Sequence, residues 1–569
     1  MKRMVSLLLA GSMMFSLTAC GSSKGSEMSA DISIDENNLD YTYGEHFHSD
    51  EPVKYTMFFN DNPAYPIKDT WETEGVFAKI KELTNVELDL TVIDNSNYND
   101  RISLLINSGE SAYIIPKVYD DTPYVDGGAV VPLSDYTKFM PNYTEFYNEY
   151  NMEPDVENIV RDNGKYYRLP GMKEVALQDY TLLFRDDIFK AAGYDIRELE
   201  KDWTWDDLLD IMINVKKYMV SQGMCKESDY IWSDQWCGSQ SGQGSGGNLL
   251  KLMANTYGVY SGWALSPKNG LIFDEDKDQF ELGSTTENFK EFITMVNKFV
   301  SNGILDPETF TQDDTTAQNK FNRGETVVIS TNRAQYTVTL AGLDAGVGKG
   351  NYSTYMATYP VAKTRWVGDN DRLECGLMVS TKAREELGDE GFVKMLRFID
   401  WLWYSKEGQT LTKWGVEGET YTVDENGQKH LTDDYYCGGL AIPATDESKQ
   451  KDMRVELGYA CGNFMYGGNY EQLTDNYSDE LKDYYDRVEK YREVRPMEPS
   501  FPIGEDDREQ INLWATPLMD NINTWTLQYA TGQKDIDKTW NDYVKSCENL
   551  NAQNLVDKYN QLYQESKDK

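Results

Sequence analysis

Side chains able to do chemistry are plentiful in type but poor in pattern. The 569 residues include only three His. His46 and His48 read as a solvated pair in a polar stretch, and His430 follows the turn-like Asn426-Gly427. No H-E-x-x-H, Walker A or G-x-S-x-G motif occurs. Adjacent carboxylates are frequent (Asp120/Asp121, Asp206/Asp207, Asp433/Asp434), as they must be with 95 acidic residues against 55 basic ones. A glycosidase holds two carboxyls about 5–9.5 Å apart across a sugar, which neighbouring positions in sequence do not establish. The seven Cys contain no CxxC pair. Six follow Cys20, an even number that permits disulfides in an exported protein and equally fits buried free thiols. The residue inventory points to no enzyme, no metal site and no cofactor.

Binding is left as the alternative to catalysis. A formal charge of −40 makes the chain a poor partner for nucleic acid, whose phosphates need neutralising cations, and for anionic lipid surfaces. Apolar residues at 40% and aromatics at 13% exclude a disordered chain, and the length calls for two or more domains or lobes. Lys2 and Arg3 precede an apolar run from Val5 to Leu17, too short to span a bilayer. Residues 1–19 read as a secretory signal. Leu17-Thr18-Ala19-Cys20 resembles a bacterial lipobox, which implies cleavage before Cys20 and lipidation of its thiol. Residues 20–50 have the polar, acidic composition of a flexible tether.

Beyond the tether the periodicity is mixed α/β. Val53–Asn60, Val86–Ile93 and 112–119 read as strands, alternating with helices over 71–83 and 98–108. Asn163-Gly164 suggests a tight hairpin. Leu182–Arg185 reads as a strand entering the helix Asp186–Ala192, and Thr204-Trp205-Asp206-Asp207 resembles a capping box opening a longer helix. An amphipathic helix spans 289–300, strands follow at 326–330 and 376–380, and the remainder is largely helical.

Several of these stretches resemble the extracellular solute-binding lipoproteins of bacterial ABC importers, family 1, and within it the large Gram-positive oligosaccharide-binding subset. Phe184-Arg185-Asp186-Asp187-Ile188-Phe189 with Gly193 is similar to the family's YRKDLFDKLG element, and Thr204-Trp205-Asp206-Asp207-Leu208 to PTWDEL. Phe321-Asn322-Arg323-Gly324-Glu325 with the strand after it matches F-x-x-G-x-x-A-M. Trp403-Tyr404-Ser405-Lys406-Glu407-Gly408, continuing through Gly415-Val416-Glu417-Gly418 to Tyr421, and Thr531-Gly532 with Trp540 to Val544 are closer to the large subset. One departure bears on metals. The acidic calcium loop of some relatives is replaced here by Gln222 to Tyr230, without alternating oxygen ligands.

The resemblance implies a two-lobed α/β protein of the type 2 periplasmic-binding fold, with a hinge and a helical C-terminal region. It places the crossings near 168, 330 and 378. Lobe one would hold 51–168 and 331–377, and lobe two 169–330 and 378–569. It also implies a monomer, lipid-anchored outside the cytoplasmic membrane of a Gram-positive bacterium, that captures an oligosaccharide and passes it to permease subunits. The competing readings are an extracellular glycoside hydrolase and a receptor of the same fold for peptides or another solute.

Sugars offer apolar C–H faces and hydroxyl rims, so aromatic platforms beside polar side chains recognise them. Aromatics outside clean helical periodicity are the platform candidates: Trp232, Trp236, Trp263 and Trp366. Polar candidates follow the expected strand ends: Asn60 and Asp61, Asp120 with Asp121, and Asn332 with Arg333. Trp401, Trp403, Trp540 and Tyr543 sit at helical spacing and read as packing.

Overall fold

The computed structural model describes residues 31–567 apart from 126, 239–245, 267, 369–371, 447, 465 and 466. The signal segment and Cys20 lie outside the described residues, as does most of the expected loop 239–247. Eight strands build two sheets: β1 Val53–Asp61, β2 Val86–Asp94, β3 Ile114–Val118, β4 Leu169–Met172, β5 Thr181–Phe184, β6 Val328–Thr331, β7 Tyr355–Ala357 and β8 Leu373–Val379. The first sheet has the order β2-β1-β3-β8-β4. The pairs β1–β2 and β1–β3 are parallel, whereas β8 runs antiparallel to both neighbours. The second sheet has the order β6-β5-β7, with β5 antiparallel to each neighbour. Helices cover both sheets, as strands buried on both faces require. β5 and β6 are buried along their whole lengths.

Local sequence explains most of the elements. Thr204 caps the helix Trp205–Ser221 in a full capping box with Asp207. Thr286 caps Glu287–Ser301, whose buried face carries Phe289, Phe292, Ile293, Val296 and Phe299. The expected helix 71–83 is two helices, Asp69–Thr73 and Val76–Thr84, broken around Gly75. The Asn163-Gly164 turn forms, with Arg161 N–H donating to the Lys165 carbonyl, but no strands flank it.

Two large cores make two lobes. One gathers Tyr55, Met57, Ile114, Leu169, Leu377, Phe398, Trp403 and Phe464. The other gathers Leu183, Trp205, Phe292, Val328, Met356, Tyr484, Ile522 and Tyr543. The chain crosses between β4 and β5, between β7 and β8, and again between Phe464 and Tyr477.

This packing corrects the division expected at 331 and 378. Residues 331–367 join the second lobe because β7 hydrogen-bonds β5. Residues 379–464 join the first because the helix Thr381–Tyr404 lays Phe398 against Tyr55, ring centroids 5.7 Å apart. The C-terminal helices Glu505–Ala530, Ile536–Glu548 and Ala552–Lys567 stay with the second lobe.

The expected tether is also shorter than its composition suggested. From Ile32 onward the chain is packed on lobe one: Ile32, Tyr41 and Phe47 are buried in its core, and Tyr41–Thr42 pairs with His48–Ser49. Glu36 binds Arg397 at 2.6 Å and Asp40 binds Lys394 at 2.8 Å. His46 and His48 are both exposed, as a solvated pair would be, with His46 beside Glu407 and His48 beside the Leu83 carbonyl. The six cysteines after Cys20 are all free thiols. No helix among the described residues is long and apolar enough to cross a membrane.

Candidate functional site

The antiparallel pairing of β5 with β6 puts Thr181 opposite Thr331. The entry to β5 and the carboxyl end of β6 therefore share one rim of lobe two. Asp179 and Tyr180 lie on the first, Asn332 and Arg333 on the second. Asn332 is engaged as the N-cap of the helix Arg333–Leu343, accepting from Gln335 N–H at 2.8 Å. Arg333 donates through its backbone N–H to Asp179 Oδ1 and through Nη1 to the Tyr477 hydroxyl at 3.0 Å.

A third segment, Trp232 to Cys237, runs beside β6. Trp232 bridges to Val328, and Gln235 Nε2 donates to the Ser330 carbonyl at 2.7 Å. Asp234 is buried beneath this junction and accepts from the Ser330 N–H, the Ser330 hydroxyl and the Gln235 N–H. Burial pushes its carboxyl up to about 6, against the pull of those donors. The next residue but one, Trp236, has φ +61°. A bulky side chain in the left-handed region is a genuine outlier that costs roughly 1–3 kcal/mol and persists only where its surroundings impose it.

The result is an aromatic group of three half-buried rings. Tyr180 stands edge-on to Trp236 and to Trp263, centroids 5.5 Å away in each case, and the two indoles lie 6.0 Å apart at 40°. Such a group offers apolar faces for stacking, with Asp179 and Arg333 next to it along the rim.

The other residues singled out in the sequence have different places. Trp232 is fully enclosed in the second core against Phe299, 5.4 Å between centroids, so no face of it is open to a ligand. Trp366 lies in the short strand Trp366–Val367 beside Gly258 and under the Arg495 guanidinium, apart from the aromatic group. In lobe one, Asn60 is tied through its backbone N–H and carbonyl to the Asn463 amide, and Asp61 accepts from Ile67 N–H to close a loop. Asp120 is exposed and accepts from Thr122 N–H, while Asp121 is buried and paired with Arg161. The structure thus brings together Trp236, Trp263 and Arg333 from the sequence candidates. It adds Tyr180 and Asp179, which only their position immediately before an apolar strand could have flagged.

Where the crossings meet, the lobes enclose a cavity of about 220 Å³ lined by Asp179, Arg333, Lys413, Trp414, Asp475 and Tyr477 among others. Asp475 accepts from Lys413 at 2.5 Å, Lys429 at 3.0 Å and Trp414 Nε1 at 2.8 Å. Burial pulls the Lys413 ammonium below its usual range, with Asp475 opposing. Asp179 and Arg333 line the cavity, and Tyr180 of the aromatic group directly follows Asp179 in the chain, although none of the three rings lines the cavity itself. No cluster of three or more His, Cys, Asp or Glu suited to a metal occurs among the described residues.

Against known proteins, the model of the bacterial extracellular solute-binding proteins matches residues 75–386, more than half of the chain. The chain belongs to that family. This solute-binding protein is 20% identical over 514 residues to the Bacillus subtilis lipoprotein LipO, covering 86% of this chain and 88% of that one. Its fold is that of the human-milk-oligosaccharide-binding, ABC-transporter-associated protein of Bifidobacterium longum infantis. The TM-score is 0.65 at 16% identity, over 90% of this chain and 98% of that one. The Streptococcus pneumoniae substrate-binding protein FusA, solved with kestose, matches with a TM-score of 0.60 at 15% identity, over 90% and 99%. This solute-binding protein carries its cavity where the lobes meet and its aromatic group on the lobe-two rim beside Asp179.

Proposed function

We propose that this solute-binding protein captures an oligosaccharide between its lobes and delivers it to the permease of an ABC importer. It acts as a monomer held outside the cytoplasmic membrane by a lipid on Cys20. The observation that carries the sugar reading is the Tyr180, Trp236 and Trp263 group at the carboxyl end of β6, with Arg333 and Asp179 beside it. Stacking a sugar face on one ring buries about 100 Å² of apolar surface and contributes roughly 2.5 kcal/mol. Two such faces with a few hydrogen bonds support micromolar affinity, which corresponds to about 8 kcal/mol. The relatives whose structures carry sugar-binding descriptions support the same reading. It assigns no catalytic step, since stacking and hydrogen bonding need none.

A thermal-shift panel of neutral and acidic oligosaccharides, with short peptides alongside, tests it. A glycan is expected to raise the melting temperature in step with its concentration. Trp263→Ala is expected to weaken that glycan's binding at least tenfold. Peptides that shift the melting point while every glycan leaves it unmoved would turn the assignment to the peptide-receptor reading. Release of reducing ends from the glycans would turn it to the hydrolase.

A further inference from the structure

Trp236 is held where it is by groups that do not themselves reach the rim. Its backbone N–H donates to Asp314 Oδ1 at 2.6 Å. Its carbonyl accepts from Asn248 N–H at 3.1 Å, and a Cβ on Gly247 (φ +42°) would lie 1.5 Å from that same oxygen. Only glycine allows this approach. On the other side, Gln235 is clamped by Ser330 and by Gln318 Nε2 at 2.8 Å, and Asp234 fixes Ser330. Every link in this frame is buried or half-buried, and the turn it imposes is the left-handed one at Trp236.

Backbone strain of this kind persists at sites where a side chain must point in one direction. We infer that Asp314 and Asp234 are positioning residues for the aromatic group. They fix Trp236 against Tyr180 and Trp263 before any ligand arrives, so the rings need no rearrangement on binding. That the rings serve a sugar rests on the reading above; that they are preset does not. Preorganisation of this sort favours affinity by removing the ordering cost of the platform.

Asp314 is the better handle. It is the first residue of the helix Asp314–Asn322, whose cap is Asp313, so its loss leaves the cap in place. The test uses the full mature chain labelled with 5-fluorotryptophan and observed by fluorine NMR without ligand. The Trp236 and Trp263 resonances are assigned by their loss in Trp236→Phe and Trp263→Phe. In the wild type both are expected as single sharp lines. In Asp314→Ala both should broaden, split or move, while the Trp401, Trp403 and Trp540 lines stay fixed. Asp314→Asn keeps an acceptor for the Trp236 N–H and should restore the wild-type lines, which a general loss of stability would not allow. Unchanged Trp236 and Trp263 lines in Asp314→Ala would overturn the inference, as would equal shifts of all indoles. If Asp314→Ala did not fold, Asp314→Glu, which keeps the charge but displaces the acceptor by a methylene, would be read by the same two lines with the same outcomes. No ligand enters the measurement, so its failure is distinct from a failure of the sugar reading, which Trp263→Ala affinity decides.

Discussion

At the scale of single residues, the buried carboxyls separate positioning from surface charge. Asp400 lies at the first lobe's core and accepts from Asn142 N–H, Asn142 Nδ2 and Tyr143 N–H, with Arg397 nearby. Burial pushes its carboxyl up to about 6. A raised value means that the folded state holds the proton more tightly than the unfolded chain. Stability from this group therefore falls as pH rises from about 4 through 6. Asp400→Asn cannot titrate. Between pH 7 and pH 5 the wild type should gain about 1 kcal/mol relative to Asp400→Asn, read from urea unfolding at the two pH values. Parallel pH dependence of the two proteins would mean that the carboxyl is not neutralised by burial. Exposed carboxylates held low by lysines, such as Glu87 beside Lys81, shift both proteins alike and drop out of the comparison.

At the scale of elements, the chain's local signals and its distant ones part company. The capped helix Trp205–Ser221, the amphipathic helix Glu287–Ser301 and the strands β1, β2 and β5 follow from residues within one window of sequence. Trp236 and Trp263 stood out as aromatics without helical periodicity, and they share the site. Tyr180 did not, because its partners are brought close by a sheet register. Trp232 failed as a platform for a related reason: the bridge to Val328 that defines its segment turns it into the core. The N-terminal stretch is the clearest limit. Ile32, Tyr41 and Phe47 have no period among acidic residues, and the partners of Glu36, Tyr41 and Phe47 on the helix Thr381–Tyr404 lie some 350 positions away. Phe47 packs 5.5 Å from Phe398, between Tyr41 and the helix. Phe47→Ala should destabilise the first lobe by about 3–4 kcal/mol, as removal of a buried phenylalanine does. Chemical unfolding measures that cost. Limited proteolysis should show earlier cleavage between residues 31 and 50, whereas a true tether would be cut equally fast in both proteins.

At the scale of the whole molecule, the proposed capture between lobes depends on how the lobes are joined. Three crossings connect two separate cores, so relative motion about them costs little packing. The third crossing is tied to both lobes: Asp475 holds Lys413 and Lys429 of lobe one, and two residues on, Tyr477 meets Arg333 of lobe two. A ligand on the lobe-two rim that also touched lobe one would favour the arrangement in which both surfaces are engaged, in proportion to its differential affinity for that state. Small-angle scattering should show a smaller radius of gyration with the glycan selected by the thermal panel. Asp475→Asn weakens the tie between lobe one and the crossing without touching the aromatic group. It should alter the ligand-free scattering profile and leave the Trp263-dependent part of the affinity in place. A profile indifferent to ligand in both proteins would mean that capture occurs on a rigid surface, without a change in the position of the lobes.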